Sequence, residues 1–280
     1  MAVAVHEGRL LLPEDGAPTT HILKVPRPAE RSLVQDELSL LRIAAGVQGH
    51  PVVRAEVLEA GAYRGLLIER YDRRIEDGLV TRIHQEDFCQ ALGLAPALKY
   101  ERDAAIPERR FDAGAIGRVL DQTDAPALAR RAFFFGTLLN IALGNTDNHA
   151  KNHSLLYDRG ARPRLAPFYD IVPVMMDGRV TRDFSFRIGA AGRLSDLRPG
   201  DLAAFAEAIG FRRFSAGLAR RLREVLQSAA DQIDSLQGPG FKSLGDALGG
   251  QMAELSDRLD LGLIVPARDL FIAKGVTGGW

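Results

Sequence analysis

Short apolar stretches separated by turn residues open the chain. Residues 2–5 and 10–12 are apolar runs around residues 6–9, and residues 19–25 form a β-branched run closed by Pro26, which together predict a small meander. From residue 29 to residue 47 the period changes. Leu33, Leu38, Leu41 and Ala45 recur near helical spacing while Glu37 and Arg42 fall among the polar positions, so one amphipathic helix is expected. Residues 52–59 and 65–69 predict a hairpin around Gly61. The charged stretch Tyr71-Asp72-Arg73-Arg74 then suits a link between two domains, 1–75 and 76–280.

Beyond residue 76 the pattern reads as helical. A helix over 85–92 is expected to open with Glu86 and Asp87 at its positive end and to stop at Gly93. Residues 125–143 form a long, mostly apolar stretch ended by Gly144, which predicts a buried helix. Residues 202–209 read as a helix with Asp201 as N-cap and Gly210 as stop, and residues 218–236 and 244–259 repeat apolar residues at three and four. The tail 266–280 has no clear period, and neither an internal repeat nor a low-complexity segment is found.

Composition narrows the function classes. Lys plus Arg and Asp plus Glu each total 36, so no overall field draws the chain to nucleic acid or to a membrane surface. Hydrophobic residues at 46% and charged residues at 26% are those of an ordinary globular protein. The single cysteine, Cys89, has no internal disulfide partner, and the first residues lack the charged leader and apolar core of a signal peptide, so a cytosolic protein is expected. No apolar run reaches the roughly 18 residues that span a bilayer.

The stretch Gly144-Asn145-Thr146-Asp147-Asn148-His149-Ala150-Lys151-Asn152 carries the most chemistry. Phosphoryl transfer from ATP needs a carboxylate near the attacking hydroxyl and oxygen ligands that hold Mg²⁺ against the phosphates. Asp147 and Asn152 have the D-x-x-x-x-N spacing of a kinase catalytic loop, although Asp and Asn also populate turns for their own backbone bonding. Asp170 follows Asp147 by 23 residues, and a hairpin between the two acids would bring Asp147, Asn152 and Asp170 to one hard-oxygen site for Mg²⁺. Among five lysines, Lys24 alone lies in the β-rich half. Alternation lets it face a cleft, and Glu37 on the following helix could hold it by an ion pair. The apolar strand ending at Glu69 runs into the link, where backbone groups could bond an adenine edge.

Five blocks occur in the order and spacing of the HipA family: residues 18–24, 68–74, 85–93 with Lys99-Tyr100-Glu101, 144–152, and Pro167-Phe168-Tyr169-Asp170. The chain resembles that family to about residue 175. The resemblance implies an α+β, two-lobed protein-kinase-like fold with a small β-rich N-lobe and a larger all-helical C-lobe. It implies transfer of the ATP γ-phosphate to a protein serine or threonine. Lys24 would contact phosphate, Glu69 and Tyr71 would present hinge backbone to adenine, and Asp147 would be the catalytic carboxylate. His149 would lie beside the nucleotide, Tyr169 near the base or ribose, and Asn152 and Asp170 would hold magnesium. Family members commonly act as toxins of toxin-antitoxin modules, with aminoacyl-tRNA synthetases among their targets. They pair with a helix-turn-helix antitoxin of the HipB type, through which any DNA contact would run.

Full-length relatives carry a short extra subdomain and a loop of the S-x-x-G-x-Q-x-K type ahead of the region that starts here at Met1. The expectation is that an upstream start or a separate small chain supplies this portion, the other possibility being an inactive remnant. Other readings are a zinc hydrolase built on Asp147, His149 and His153, a kinase-like binding module that tethers an antitoxin, and a small-molecule phosphotransferase.

Overall fold

The computed structural model describes residues 1–27, 32–47, 49–61, 63–158, 160–238 and 240–273. The expected helix start at residues 29–31 and the end of the tail at 274–280 lie outside the described residues. Five antiparallel strands form the first sheet, β1 (Ala2–His6), β2 (Arg9–Leu11), β3 (His21–Lys24), β4 (Ala55–Ala60) and β5 (Tyr63–Glu69), in the order β2-β1-β3-β5-β4. Between β3 and β4 runs α1 (Ser32–Val47), whose Val34, Leu38, Leu41, Ile43 and Ala44 are buried in the main core. β3 lies at the centre of the sheet, paired with β1 and β5, and its last residue Lys24 pairs with Leu66 of β5.

The turn after β5 is fixed by charge. Asp72 is buried and receives Arg70 and Arg73 guanidinium contacts of 2.7 Å each. Burial opposes the charge on Asp72, but the two arginines outweigh it and hold the carboxyl below its ordinary range. Both arginines also reach back to Thr19, just ahead of β3.

The portion beyond residue 75 is mainly helical, with α2 (Phe88–Ala91), α3 (Ala113–Asp121), α4 (Pro126–Ala142), α5 (Pro199–Ala208), α6 (Ala216–Asp234) and α7 (Lys242–Leu259). It also carries strands, which the expectation of an all-helical second lobe left out. β6 (Arg73–Glu76) and β7 (Leu79–Arg82) form a hairpin whose turn residues Asp77 and Gly78 both have positive φ, as a two-residue primed turn requires. β8 (His84–Asp87), β9 (Ser154–Tyr157) and β10 (Arg164–Leu165) form a three-stranded antiparallel sheet. The expected helix over 85–92 is therefore corrected. Residues 85–87 pair with β9, and the helix starts only after Asp87, whose side chain accepts from the Gln90 N–H in a capping box. α5 begins at Pro199, ahead of the expected start. Asp201 lies inside its first turn and accepts from the Arg198 N–H, so it caps from within rather than as N-cap.

α4 is buried almost all round from Phe133 to Ala142, matching its continuous hydrophobicity. Its one buried amide, Asn140, donates to the Gly136 carbonyl and accepts from Asn145. Among the described residues no helix is long and apolar enough to cross a membrane.

Candidate active site

Gly144 ends α4 in the left-handed region, with φ at +70°, and the Asn145 N–H returns to the Asn140 carbonyl. A side chain at this glycine would overlap the Met175 thioether, so the exit from α4 admits no Cβ. The chain then runs through residues 145–149 into a single 3-10 turn, Ala150–Asn152, and on into β9. β9 and β10 form the hairpin expected between the two acids, with Leu155 opposite Leu165. That return brings Asp170 back beside the loop. The Asn145 amide donates 3.2 Å to the Asp170 carbonyl, and Tyr169 donates 2.8 Å to the Lys151 carbonyl. Asp170 itself adopts a positive φ of 57°, a conformation that Asp tolerates better than most residues.

The amine from the first sheet reaches the same place. Lys24 Nζ lies 2.7 Å from Glu37 Oε1 and 2.6 Å from Asp170 Oδ1, across 146 residues of sequence in the second case. Burial works against the charge on Lys24, but the two carboxylates prevail and raise its pKa. At the more deeply buried Glu37, burial wins over the attraction of Lys24, and the carboxyl is raised.

On the loop side, Asn152 is buried and donates 2.9 Å to the backbone carbonyl of Asp147, which leaves its amide oxygen turned away from that bond. His149 is buried, and burial lowers its pKa against the pull of Asp147. Tyr71 and Tyr169 stack with ring centroids 5.6 Å apart and planes 28° from parallel. Glu69 is exposed at the end of β5, and its N–H is committed to the Arg54 carbonyl, so this amide is not free for a ligand.

One site residue had no role in the sequence reading. Tyr100 donates a 2.6 Å hydrogen bond to Asp147 Oδ1, and its ring packs edge-on against His149 at 5.3 Å. Burial, together with the Asp147 bond, raises the phenol pKa. Arg102 and Lys99 place cations over the same ring, at 4.0 and 4.8 Å from its centroid. Local pattern offers no pointer to this contact, because Tyr100 lies 47 residues before Asp147 in an irregular segment.

His153 does not join Asp147 and His149 in a zinc site. Its ring packs 4.6 Å from Phe133 and 5.4 Å from Phe88, and burial lowers its pKa to about 3. Among the described residues no three His, Cys, Asp or Glu side chains are grouped to hold a metal.

A D-x-x-x-x-N loop beneath a strand lysine, a helix glutamate and a second aspartate is the arrangement of a kinase cleft. The family described as HipA-like C-terminal domain matches residues 2–235. The chain belongs to this family. Among curated proteins it is 34% identical over 238 residues to the putative kinase Y4mE of Sinorhizobium fredii, covering 81% of this chain and 52% of that one. It is 30% identical over 226 residues to the serine/threonine-protein kinase toxin HipA of Shewanella oneidensis, covering 77% and 51% respectively. The chain thus spans about half the length of these relatives. Among solved structures, the Shewanella oneidensis MR-1 complex of HipA, HipB and operator DNA matches with a TM-score of 0.77 at 26% identity, over 94% of this chain and 63% of that one. The Helicobacter pylori proinflammatory kinase CtkA matches with a TM-score of 0.56 at 12% identity, over 92% of this chain and 88% of that one, a likeness of fold. The HipA-like fold is kinase-like, as the resemblance implied.

Proposed function

We propose that this chain transfers the γ-phosphoryl group of ATP to a serine or threonine hydroxyl of a protein, as a HipA-like kinase. The observation that carries this reading is the Lys24 amine bridging Glu37 and Asp170 beside the Asp147–Asn152 loop. The donor set suits magnesium, since the carboxylate of Asp170 and the amide oxygen of Asn152 are both hard oxygen ligands. When bound, Mg-ATP supplies the transferable phosphoryl group and the charge neutralisation that the reaction needs.

The chain's own residues then take separate roles. Asp147 is the catalytic residue, accepting the proton of the substrate hydroxyl. Because Tyr100 occupies Oδ1, Oδ2 is the oxygen left for that hydroxyl. Tyr100 is a positioning residue that fixes the carboxylate plane. Lys24 binds phosphate, and Glu37 orients its amine through their 2.7 Å ion pair. Tyr71 and Tyr169 form an aromatic wall for the base or ribose, and His149, kept neutral by burial, lines the nucleotide side. The link at residues 71–74 divides the lobes into 1–75 and 76–280. A HipB-type antitoxin is the proposed partner, supported by the match to the HipA–HipB–operator complex.

Titration calorimetry with ATP in the presence and absence of Mg²⁺, followed by label transfer from γ-labelled ATP to a mixture of bacterial proteins, tests the reading. Magnesium-dependent binding is expected in both wild type and Asp147→Asn, with transfer only in wild type. Absence of magnesium-dependent nucleotide binding sinks the proposal.

A further inference from the structure

A cleft of about 1090 Å³ borders Lys24 and Glu37 but includes neither Asp147, Asn152 nor Tyr169. It lies between α1, the segment after Asp170 and the start of α7, and its walls are mostly apolar. Leu33, Asp36 and Glu37 face it from one side of α1, spaced three and four residues apart, as successive positions on a helix face are.

Asp36 is the anomaly. It is only 6% exposed, and among the described residues it has neither a hydrogen-bond nor an ion-pair partner. Among the described residues the cations at the cleft are engaged elsewhere, Lys24 with Glu37 and Asp170, and Arg179 with Asp177 among its partners. A buried carboxylate without a partner is costly, and burial alone pushes its carboxyl up to about 6. Of the three carboxylates that line the cleft, Glu37 is engaged by Lys24 and Asp177 by Arg179, which leaves Asp36 alone, a poor metal site since hard cations take several oxygens. It suits instead an organic cation, and the volume lies near the upper end of the roughly 300–1,000 Å³ usual for small-molecule sites.

We infer that this cleft binds a small organic cation, an apolar amine or guanidine whose charged end pairs with Asp36 while its hydrocarbon lies against Leu33, Val174, Met176 and Leu244. The bound charge stands one residue from the carboxylate that grips Lys24, so occupancy acts on that ion pair. The inference concerns binding and stands independently of the phosphotransfer reading.

The test uses the full chain without nucleotide and compares hexylguanidinium with hexanol by methyl NMR titration. Wild type is expected to bind the guanidinium at least five-fold tighter than the alcohol, with shifts centred on Leu33, Val174 and Leu244. Asp36→Asn should bring the two to equal affinity while leaving hexanol binding unchanged. Leu33 is 47% exposed, so Leu33→Lys is tolerated whatever the fate of the first variant, and its own amine three residues from Asp36 should compete and abolish the preference. A wild-type preference below five-fold, or one that survives in either variant, overturns the site.

Discussion

The two sides of the cleft are held by different physics. On the sheet side, Lys24, Glu37 and Asp170 form a charged cluster drawn from a strand, a helix and a distant loop. On the loop side, Asp147 and Asn152 are five residues apart and are fixed by short hydrogen bonds, one from Tyr100 and one to backbone. The charged cluster depends on three elements docking correctly. The loop depends mainly on its own backbone path out of α4. Function is expected to respond most to changes on the loop side, and nucleotide binding most to changes on the sheet side.

The largest effect should come from Asp147→Asn. Loss of a general base typically costs about a thousand-fold in rate, so label transfer should fall by that order with magnesium-dependent ATP binding kept. If nucleotide affinity collapses as well, the separation between the two sides fails. Lys24→Met should reduce transfer by about a hundred-fold, the usual cost of removing one electrostatic contact to reacting charge. It should also weaken ATP binding measurably by calorimetry, and unaltered binding would remove Lys24 from the phosphate role.

Gly144→Ala should destabilise the fold by about 2 kcal/mol or more, because a positive φ and a clash with Met175 act together. Urea unfolding reads this directly. Tyr100→Phe should lower kcat about ten-fold, the value of one hydrogen bond to a charged group, with the KM for ATP unchanged and full activity in the presence of the native tyrosine alone. A change confined to KM would make Tyr100 a binding residue instead.

The smallest net effect is on pH dependence, because the two sides carry opposite signs. His153, on the loop side, is buried neutral with its pKa lowered from 6.5 to about 3, so the unfolded state binds the proton better and stability falls as pH drops through this window. Asp36, on the sheet side, is raised from 3.8 to about 6, so the cost of its buried charge is relieved as pH falls from about 6 towards 3.8. Between pH 7.5 and 4.5 the two should nearly cancel, leaving a loss of about 1 kcal/mol from this pair. Asp36→Asn should steepen the acid loss and His153→Phe should flatten it, as read from urea midpoints at several pH values.

Much of this was legible beforehand, for particular reasons. The β-rich start, α1 and α4 follow from local periodicity, and the Lys24–Glu37 pairing follows from a strand lysine preceding an amphipathic helix. The β6–β7 hairpin was missed although Asp77-Gly78 is a strong turn signal, because polar positions on both strands hide the alternation. The segment 84–87 was misread because His84-Gln85-Glu86-Asp87 has no apolar face; only pairing with β9 makes it a strand. α3 went unread in an irregular stretch, though Asp112 caps it by accepting from Ala115.

By itself, the order of residues determined the Asp147–Asn152 loop, its glycine exit from α4 and the set of oxygen and amine groups available for chemistry, since these are properties of local backbone preference and side-chain type. Tertiary structure alone decided that Tyr100 takes one oxygen of Asp147, that Asp170 meets Lys24, and that Asp36 faces a cleft with no partner among the described residues. Those contacts join segments far apart in the chain, and their distances are set by how sheet and helices pack, which no local periodicity encodes.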